Sequence, residues 1–215
     1  VLKVKSVFIQ NDIQGIHRKP NVELIYGNET ETIHKENSVK YKLDVTKLMF
    51  SSGNIDERIR MSEVVGDEEV VVDMFAGIGY FSIPMAVHSN PEKIFCLEIN
   101  PEAFKYLKEN ISINGVEERV TPWNGDNRDF PKSHIADRVV MGYLHDTWKF
   151  LPKAAEFIDE KGIIHYHTNV KDSNYPKQIK AQLKRGLNKD FEVIKTRKIK
   201  SYAPHIFHVV ADVKI

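Results

Sequence analysis

The feature that most constrains this chain is the stretch from Val70 to Tyr80, where branched apolar residues lead into a glycine turn. Val70 to Val72 show no alternation with polar residues, which is typical of a strand buried on both faces of a parallel sheet. Gly77 and Gly79 can adopt positive φ and let a ligand approach the backbone. A helix beginning near Tyr80 would point its positive end at that ligand. Alone, this stretch favours cofactor binding only slightly over an ordinary strand–helix turn.

Two further strand ends carry polar groups. The apolar run Ile94–Leu97 ends in Glu98, 21 residues after Gly77, where a carboxylate can accept hydrogen bonds from both ribose hydroxyls of a nucleoside. The candidate strand 119–123 is followed by Asp126 and Asn127, which could contact an adenine edge. Three polar groups at three successive strand ends indicate a nucleoside-binding crevice at the carboxyl edge of a doubly wound sheet.

The type of nucleoside follows from two residues in the first turn. A dinucleotide fingerprint requires glycine or alanine where this chain has Ser82. Asp73, at the end of the first strand, would repel a pyrophosphate, whereas S-adenosylmethionine (AdoMet) carries an amino group and a sulfonium and no phosphate. The sequence therefore favours AdoMet over NAD, and an NAD oxidoreductase is the more distant alternative.

The length of 215 residues and a hydrophobic fraction of 41% predict one large domain with a real core, or one domain with an appendage. We expect a small β-rich N-terminal unit over 1–50 and the AdoMet-binding domain over 51–215. The single cysteine, Cys96, lies in a predicted buried strand and indicates a reducing compartment. No stretch resembles a signal peptide or reaches the ~20 apolar residues of a membrane span. These features predict a cytoplasmic protein without membrane association.

The remaining elements follow a strand–helix alternation, which predicts an α/β architecture. Short N-terminal strands are expected at 22–26, 30–34 and 39–45, and a helix at 55–65. Later helices are expected at 101–113, 147–158 and 175–187, with Asn100 as a cap and Asn114-Gly115 as a stop. Strands are expected at 136–142 and 162–167, and an antiparallel hairpin at 191–201 and 205–215 closes the sheet.

Two groups of charged or polar residues have an ordinary structural interpretation beside a functional one. Ten basic and three acidic residues lie between Lys171 and Lys200, which could neutralise phosphates or simply form a solvated face. His165 and His167 lie on one predicted strand, and His205 and His208 on another. No cysteine or carboxylate accompanies them at ligand spacing, so buried, hydrogen-bonded histidines are predicted in preference to a metal site.

With these residues in view, the chain resembles the class I AdoMet-dependent tRNA enzymes that modify the guanosine just 3′ of the anticodon. The resemblance runs from about Gly15 to the C-terminus. Its specific motifs are His34 to Asn37, Phe50 to Arg58, Asp73 to Phe81, Leu97 to Pro101 and Gly125 to Arg128. It implies a Rossmann-like AdoMet-binding fold with a C-terminal antiparallel hairpin.

Two branches of this family compete. The guanosine N1-methyltransferases carry an asparagine-leucine-proline type motif after the fourth strand, where this chain has Met141 to His145. The chain also begins too late to contain the N-terminal tRNA-binding domain of that branch. Gly79-Tyr80 and Asp126 to Arg128 match the other branch, the wybutosine-synthesising aminocarboxypropyltransferases. The resemblance therefore implies transfer of the 3-amino-3-carboxypropyl group of AdoMet to the tricyclic base of phenylalanine tRNA, with release of methylthioadenosine.

The resemblance implies a cofactor-binding set and a partner. Glu98 would hold the ribose, Asp126 and Asn127 the adenine, and Arg58 would pair with the methionine carboxylate as a planar fork assisted by Ser51. The expected set is Ser51, Arg58, Phe75, Gly77, Glu98, Asp126 and Asn127. The partner is the anticodon region of phenylalanine tRNA; no metal and no obligate protein partner are expected.

The residues that would act on the base are less defined. The acceptor carbon must lose a proton, and no base is assigned, although Tyr143, His145 and Asp146 lie near the right strand end. Tyr80 and Tyr143 are candidates for an aromatic platform under the base. The segment Lys177 to Lys200, with Lys3, Lys5, Arg18 and Lys19, could hold the tRNA backbone. The N1-methyltransferase, and a protein that binds AdoMet and tRNA without catalysis, remain alternatives.

Overall fold

The structure, a computed structural model, describes residues 4–14, 19–171 and 174–215. Lys3 and Arg18, which the sequence analysis assigns to tRNA binding, lie outside these ranges, as does the side chain of Lys19. Within the ranges, no helix has both the length and the apolar character that a membrane span needs.

The N-terminal residues form two hairpins. Strand β1 (Ser6–Gln14) pairs with β2 (Lys19–Gly27), and β3 (Glu31–Glu36) pairs with β4 (Val39–Asp44), each pair being an antiparallel sheet of its own. Strand β1 was not predicted, because its apolar residues 7–9 are consecutive and two register shifts interrupt its ladder. Such a strand shows no alternation by which it could be found.

Seven strands form the central sheet: β5 (Val70–Asp73), β6 (Lys93–Glu98), β7 (Val120–Asn124), β8 (Ala136–Met141), β9 (Ile158–Lys171), β10 (Glu192–Ala203) and β11 (Ile206–Lys214). Their order across the sheet is β10-β11-β9-β8-β5-β6-β7. Strands β5 to β9 pair in parallel, and β11 is antiparallel to both β9 and β10. The predicted doubly wound α/β sheet with a C-terminal hairpin is confirmed. The strand order reverses between β5 and β8, because β6 and β7 follow on one side of β5 while β8 and β9 lie on the other, and such a switch point is where these sheets bind ligands.

In the part of the chain that the structure describes, five α-helices cover the sheet: α1 (Ile55–Val64), α2 (Ser82–His88), α3 (Pro101–Asn114), α4 (Leu151–Phe157) and α5 (Tyr175–Gly186). Helix α3 begins as predicted, because the Asn100 side chain accepts a hydrogen bond from the Glu102 amide at 3.0 Å. It ends as predicted at Gly115, whose φ of 66° suits a residue without a β-carbon.

Two predicted boundaries were wrong for identifiable reasons. The helix expected over 147–158 is a 3-10 turn over Thr147–Phe150 followed by α4, and Pro152 lies in the first turn of α4. Proline lacks an N–H, so a continuous helix through this position would lose a backbone hydrogen bond. The strand expected over 162–167 extends to 14 residues in β9, because its later residues, up to Lys171, pair with β11.

Strand β4 packs on the outer face of the α/β domain. Val39, Tyr41 and Leu43 share a core with residues of α2 and α3. The Asn110 side chain completes the contact, because it accepts from the Lys42 amide at 2.6 Å and donates to the Lys42 carbonyl at 3.1 Å. The domain boundary expected at residue 50 stays a prediction.

The other two core clusters include the fully buried Cys96 and are built from residues of the central sheet and its helices.

Candidate cofactor-binding site

A cavity of about 440 Å³ lies at the carboxyl ends of β5, β6 and β8, beside the point where the strand order reverses. This volume is within the range of small-molecule sites. All seven residues of the expected cofactor-binding set line it: Ser51, Arg58, Phe75, Gly77, Glu98, Asp126 and Asn127. The structure thus brings together residues that are up to 76 positions apart in the sequence.

The glycine turn shapes one wall. Gly77 has a φ of 59°, and a β-carbon there would lie 2.6 Å from the Tyr80 ring. Gly79 has a φ of 96°, and a β-carbon there would lie 2.4 Å from the Ile83 side chain. Neither position can hold a side chain without strain, so the turn depends on both glycines.

Glu98 ties the turn to the next strand. One of its carboxylate oxygens accepts from the Gly77 amide and the other from the Asn100 amide, each at 2.7 Å. Burial raises the pKa of Glu98, and these two amide hydrogen bonds counteract that rise. A carboxylate offers about four acceptor sites, more than its backbone partners occupy, so Glu98 is still able to accept a hydrogen bond from a ribose.

The predicted adenine end contains one acceptor without a partner. Asn127 is buried and donates to the Met74 carbonyl at 3.0 Å, while its Oδ1 accepts no hydrogen bond from any described residue. An orphaned buried acceptor fits an exocyclic amino group. Arg128 donates through Nε to Asp126 at 2.8 Å and holds the pKa of that carboxyl below its usual range.

The opposite end carries positive charge, in an arrangement that differs from the expected one. The Arg58 fork is occupied by Glu36, with Nε–Oε1 at 2.6 Å and Nη2–Oε2 at 2.7 Å, and its Nη1 donates to the Ser51 carbonyl at 3.0 Å. The Nε–Nη2 edge of the guanidinium is therefore not open to a ligand carboxylate, and one N–H on each of the two Nη atoms remains to donate. Lys200 of β10 lines the cavity and donates to the Ser51 hydroxyl. Lys200 was predicted only as part of the basic segment, because nothing in the sequence links it to a residue 149 positions away.

Asp73 does not face the cavity, contrary to the argument that its charge would meet the ligand. It is fully buried, accepts from Ser82 Oγ at 2.6 Å and from the Phe75 amide at 3.2 Å, and so holds the turn from behind. Burial raises the pKa of Asp73 to about 6. Ser82 therefore anchors α2 to β5, and the preference for AdoMet over NAD loses this support.

Aromatic side chains line the cavity near β8. The Tyr143 and Phe75 rings are stacked at 5.1 Å with an angle of 17°, and Tyr202 contributes a half-exposed ring. The Tyr80 hydroxyl donates to the Met49 carbonyl, so that ring is held in the wall. Of the two candidates for an aromatic platform under the base, Tyr143 lies in the segment that directly follows β8 and lines the cavity.

Two histidines that were predicted to be structural also line the cavity. His167 and His208 are buried, and His167 Nδ1 lies 2.9 Å from His208 Nε2. Burial lowers the pKa of His167 to about 3, so this ring is neutral. His165 is buried as well and contacts Asp212 at 2.6 Å. The prediction of buried, hydrogen-bonded histidines is confirmed for these three, but His205 lies in the turn before β11.

Comparison with known proteins identifies the fold and the family. The TRM5/TYW2 methyltransferase domain matches residues 32–194. The tRNA(Phe) (4-demethylwyosine(37)-C(7)) aminocarboxypropyltransferase of Pyrococcus horikoshii is 47% identical over 218 residues, which cover 100% of this chain and 78% of the relative.

Two solved structures superpose closely. TYW2 of Methanocaldococcus jannaschii in complex with AdoMet is 47% identical, with a TM-score of 0.81 over 90% of this chain and 89% of its own. The complex of aTrm5 and tRNALeu is 38% identical, with a TM-score of 0.88 over 98% of this chain and 61% of its own. This chain therefore belongs to the TRM5/TYW2 methyltransferase family.

Proposed function

We propose that this protein transfers the 3-amino-3-carboxypropyl group of AdoMet to the 4-demethylwyosine base beside the anticodon of phenylalanine tRNA. The observation that carries this proposal is the 47% identity, over the whole chain, with a relative named for that reaction. The identity with the tRNA guanine-N1 methyltransferase Trm5b of Methanocaldococcus jannaschii is lower, at 38%. That methyltransferase activity is the second candidate, and the Met141 to His145 segment disfavours it.

The cavity fits AdoMet as the donor. Glu98 would hold the ribose, and the orphaned Oδ1 of Asn127 would accept from the adenine amino group. Lys200 and Ser51, with the remaining Arg58 N–H groups, would hold the carboxylate of the methionine arm. That carboxylate belongs to the group being moved, so cations at this end fix the arm for transfer.

In the reaction, a bond forms between the ring carbon of the base and the γ-carbon of the methionine arm. The bond from that carbon to sulfur breaks, and its electron pair leaves with the sulfur in methylthioadenosine. The ring carbon must also lose its proton. The cavity-lining carboxylates, Glu98 and Asp126, lie at the nucleoside end, away from the reacting carbon. We therefore propose that the His208–His167 pair takes up this proton, with His208 as the acceptor.

Positioning decides which carbon of the sulfonium reacts. Tyr143, stacked on Phe75, would support the incoming base, and the clamp around Ser51 would turn the γ-carbon toward it. The exposed lysines of α5 would hold the tRNA backbone. The relative in complex with tRNALeu supports tRNA as the macromolecular substrate.

The test uses AdoMet labelled separately in the carboxyl carbon and in the methyl carbon. Each is incubated with phenylalanine tRNA that carries 4-demethylwyosine and with unmodified tRNA. Carboxyl label on the modified tRNA, with release of methylthioadenosine, is the expected result. Methyl label on the unmodified tRNA would replace the proposal with the methyltransferase. Neither label, with AdoMet binding intact, would indicate a protein that binds both molecules without catalysis.

A further inference from the structure

A second cavity, of about 320 Å³, adjoins the cofactor cavity and plays no part in the function proposed above. It lies between the 3-10 turn at Thr147–Phe150, the end of β9 and the helix α5. Leu144 lines both cavities, so they are neighbours on the ligand-binding edge of the sheet. The lining residues used below are Trp148, Thr168, Asn169, Gln182 and Arg185.

Two amide side chains in this cavity have unused hydrogen-bonding capacity. Gln182 Oε1 accepts from the Tyr166 hydroxyl at 2.8 Å and from Thr168 Oγ1 at 3.0 Å, which fixes the amide and leaves its NH₂ group as a donor. Asn169 Oδ1 is buried and accepts no hydrogen bond within the described part of the chain. A fixed amide donor beside an amide acceptor is the kind of pair that contacts the edge of a nucleobase.

The cavity also holds a cation on an aromatic ring. The Arg185 guanidinium lies 3.5 Å from the centre of the Trp148 ring. The Asp146 carboxylate also lines the cavity and attracts Arg185, but its ion pair, at 2.6 Å, is with Lys149. Because Lys149 pairs with Asp146, the N–H fork of Arg185 can still bind a phosphate. Lys177, Lys180 and Lys184 are exposed on the same helix, which makes the surroundings positive.

We infer that this cavity binds a second nucleotide of the RNA, next to the base that enters the cofactor cavity. The base of that nucleotide contacts the Gln182 and Asn169 amides, and its phosphate lies on Arg185. The inference rests on the proposed function only in taking RNA as the substrate. It makes the cavity a specificity site, because amides on a nucleobase read sequence whereas lysines on phosphates do not.

The test follows indole fluorescence during titration with a synthetic anticodon stem-loop of phenylalanine tRNA, in the presence of saturating AdoMet. Trp148→Phe keeps an aromatic ring under Arg185 but removes the reporter, so the signal of Trp148 is the difference between wild type and this variant. We expect the RNA to quench this difference signal. Arg185→Ala should weaken stem-loop binding at least roughly tenfold, as loss of a charge-assisted phosphate contact does.

Lys184→Ala is the matched control, because Lys184 is an exposed cation on the same turn of α5 that does not line the cavity. Its effect should stay below roughly threefold, consistent with one solvated phosphate contact. Gln182→Met, which keeps the length of the side chain, should relax discrimination between stem-loops that differ in a base flanking the target. AdoMet affinity and thermal stability, measured in parallel, should not change in Arg185→Ala.

Three outcomes would overturn the inference. Equal losses of stem-loop affinity in Arg185→Ala and Lys184→Ala would mean that Arg185 acts only as one of several surface charges. RNA binding without any change in the Trp148 signal would place the RNA elsewhere. Quenching by free nucleoside monophosphates with the affinity of the stem-loop would make this a mononucleotide site. Failure of label transfer with intact Trp148 quenching would instead count against the proposed function alone.

Discussion

Arg58 and Glu36 form a two-bond ion pair, at 2.6 and 2.7 Å, with side chains that are only 3% and 8% exposed. The pair links the β3–β4 hairpin to α1, and Arg58 in turn holds the Ser51 carbonyl at the edge of the cofactor cavity. The hairpin therefore takes part in positioning the clamp that is proposed for the methionine arm, although its strands lie outside the central sheet.

Glu36→Gln should destabilise the protein strongly. It leaves the Arg58 guanidinium buried with no opposite charge, and breaking a buried pair in this way costs about 3 kcal/mol of unfolding free energy. Urea denaturation measures the change. Glu29→Gln is the control, because its pair with Lys5 is 49% and 78% exposed and should contribute less than about 1 kcal/mol. Equal effects of the two substitutions would contradict the structural role of the buried pair.

Glu98→Ala should weaken AdoMet binding roughly tenfold or more, since it removes the proposed ribose acceptor and the hydrogen bonds that hold the Gly77 turn. Calorimetric titration with AdoMet measures this. Glu102→Ala is a suitable control, because Glu102 lies four residues further on and pairs with Lys47 at the surface. Unchanged AdoMet affinity in Glu98→Ala would show that the ribose lies elsewhere.

Asp73 should make stability fall as pH rises. Burial raises its pKa to about 6 in the folded state, so the folded protein binds a proton that the unfolded chain has already lost. Between pH 5 and 8 this group should remove about 1.4 kcal/mol of unfolding free energy. Asp73→Asn cannot titrate, so the stability of the variant relative to wild type should increase by that amount over this range.

Urea denaturation at pH 5 and pH 8 measures this difference, and the exposed Asp190→Asn is the control for removal of a carboxylate. A stability difference between Asp73→Asn and wild type that is the same at both pH values would show that Asp73 stays ionised in the folded protein.

The sequence predicted where strands end better than what the side chains at those ends contact. Runs of apolar residues and turn glycines are local signals, so β5, β6 and the cap of α3 were found, and all seven expected cofactor residues reached one cavity. The partners of Arg58, Ser51 and Asp73 were not predicted. Glu36 lies 22 positions from Arg58, and Lys200 lies 149 from Ser51. Contacts at such separations depend on how the sheet is assembled, which no local pattern encodes.

Charge reversal at Lys180 and Lys184 tests the basic face of α5. The double variant Lys180→Glu, Lys184→Glu should weaken tRNA binding and lower the slope of log Kd against log salt by roughly 1 to 2, since each lost phosphate contact releases about one counterion fewer. Filter binding at several salt concentrations measures both quantities. An unchanged affinity and slope would mean that these lysines only solvate the helix.

His208→Asn tests the proposed proton acceptor. Asparagine can keep a hydrogen bond to His167 but cannot take a proton, so transfer of the carboxyl label should fall roughly 100-fold or more while AdoMet and tRNA affinities stay unchanged. His205→Asn is the matched control, because His205 lies in an exposed turn at a φ of 60°, a conformation that asparagine tolerates. Transfer by His208→Asn at the rate of His205→Asn would exclude His208 as the acceptor. If both binding affinities also fell in His208→Asn, the residue would have a structural role, since His208 is only 2% exposed.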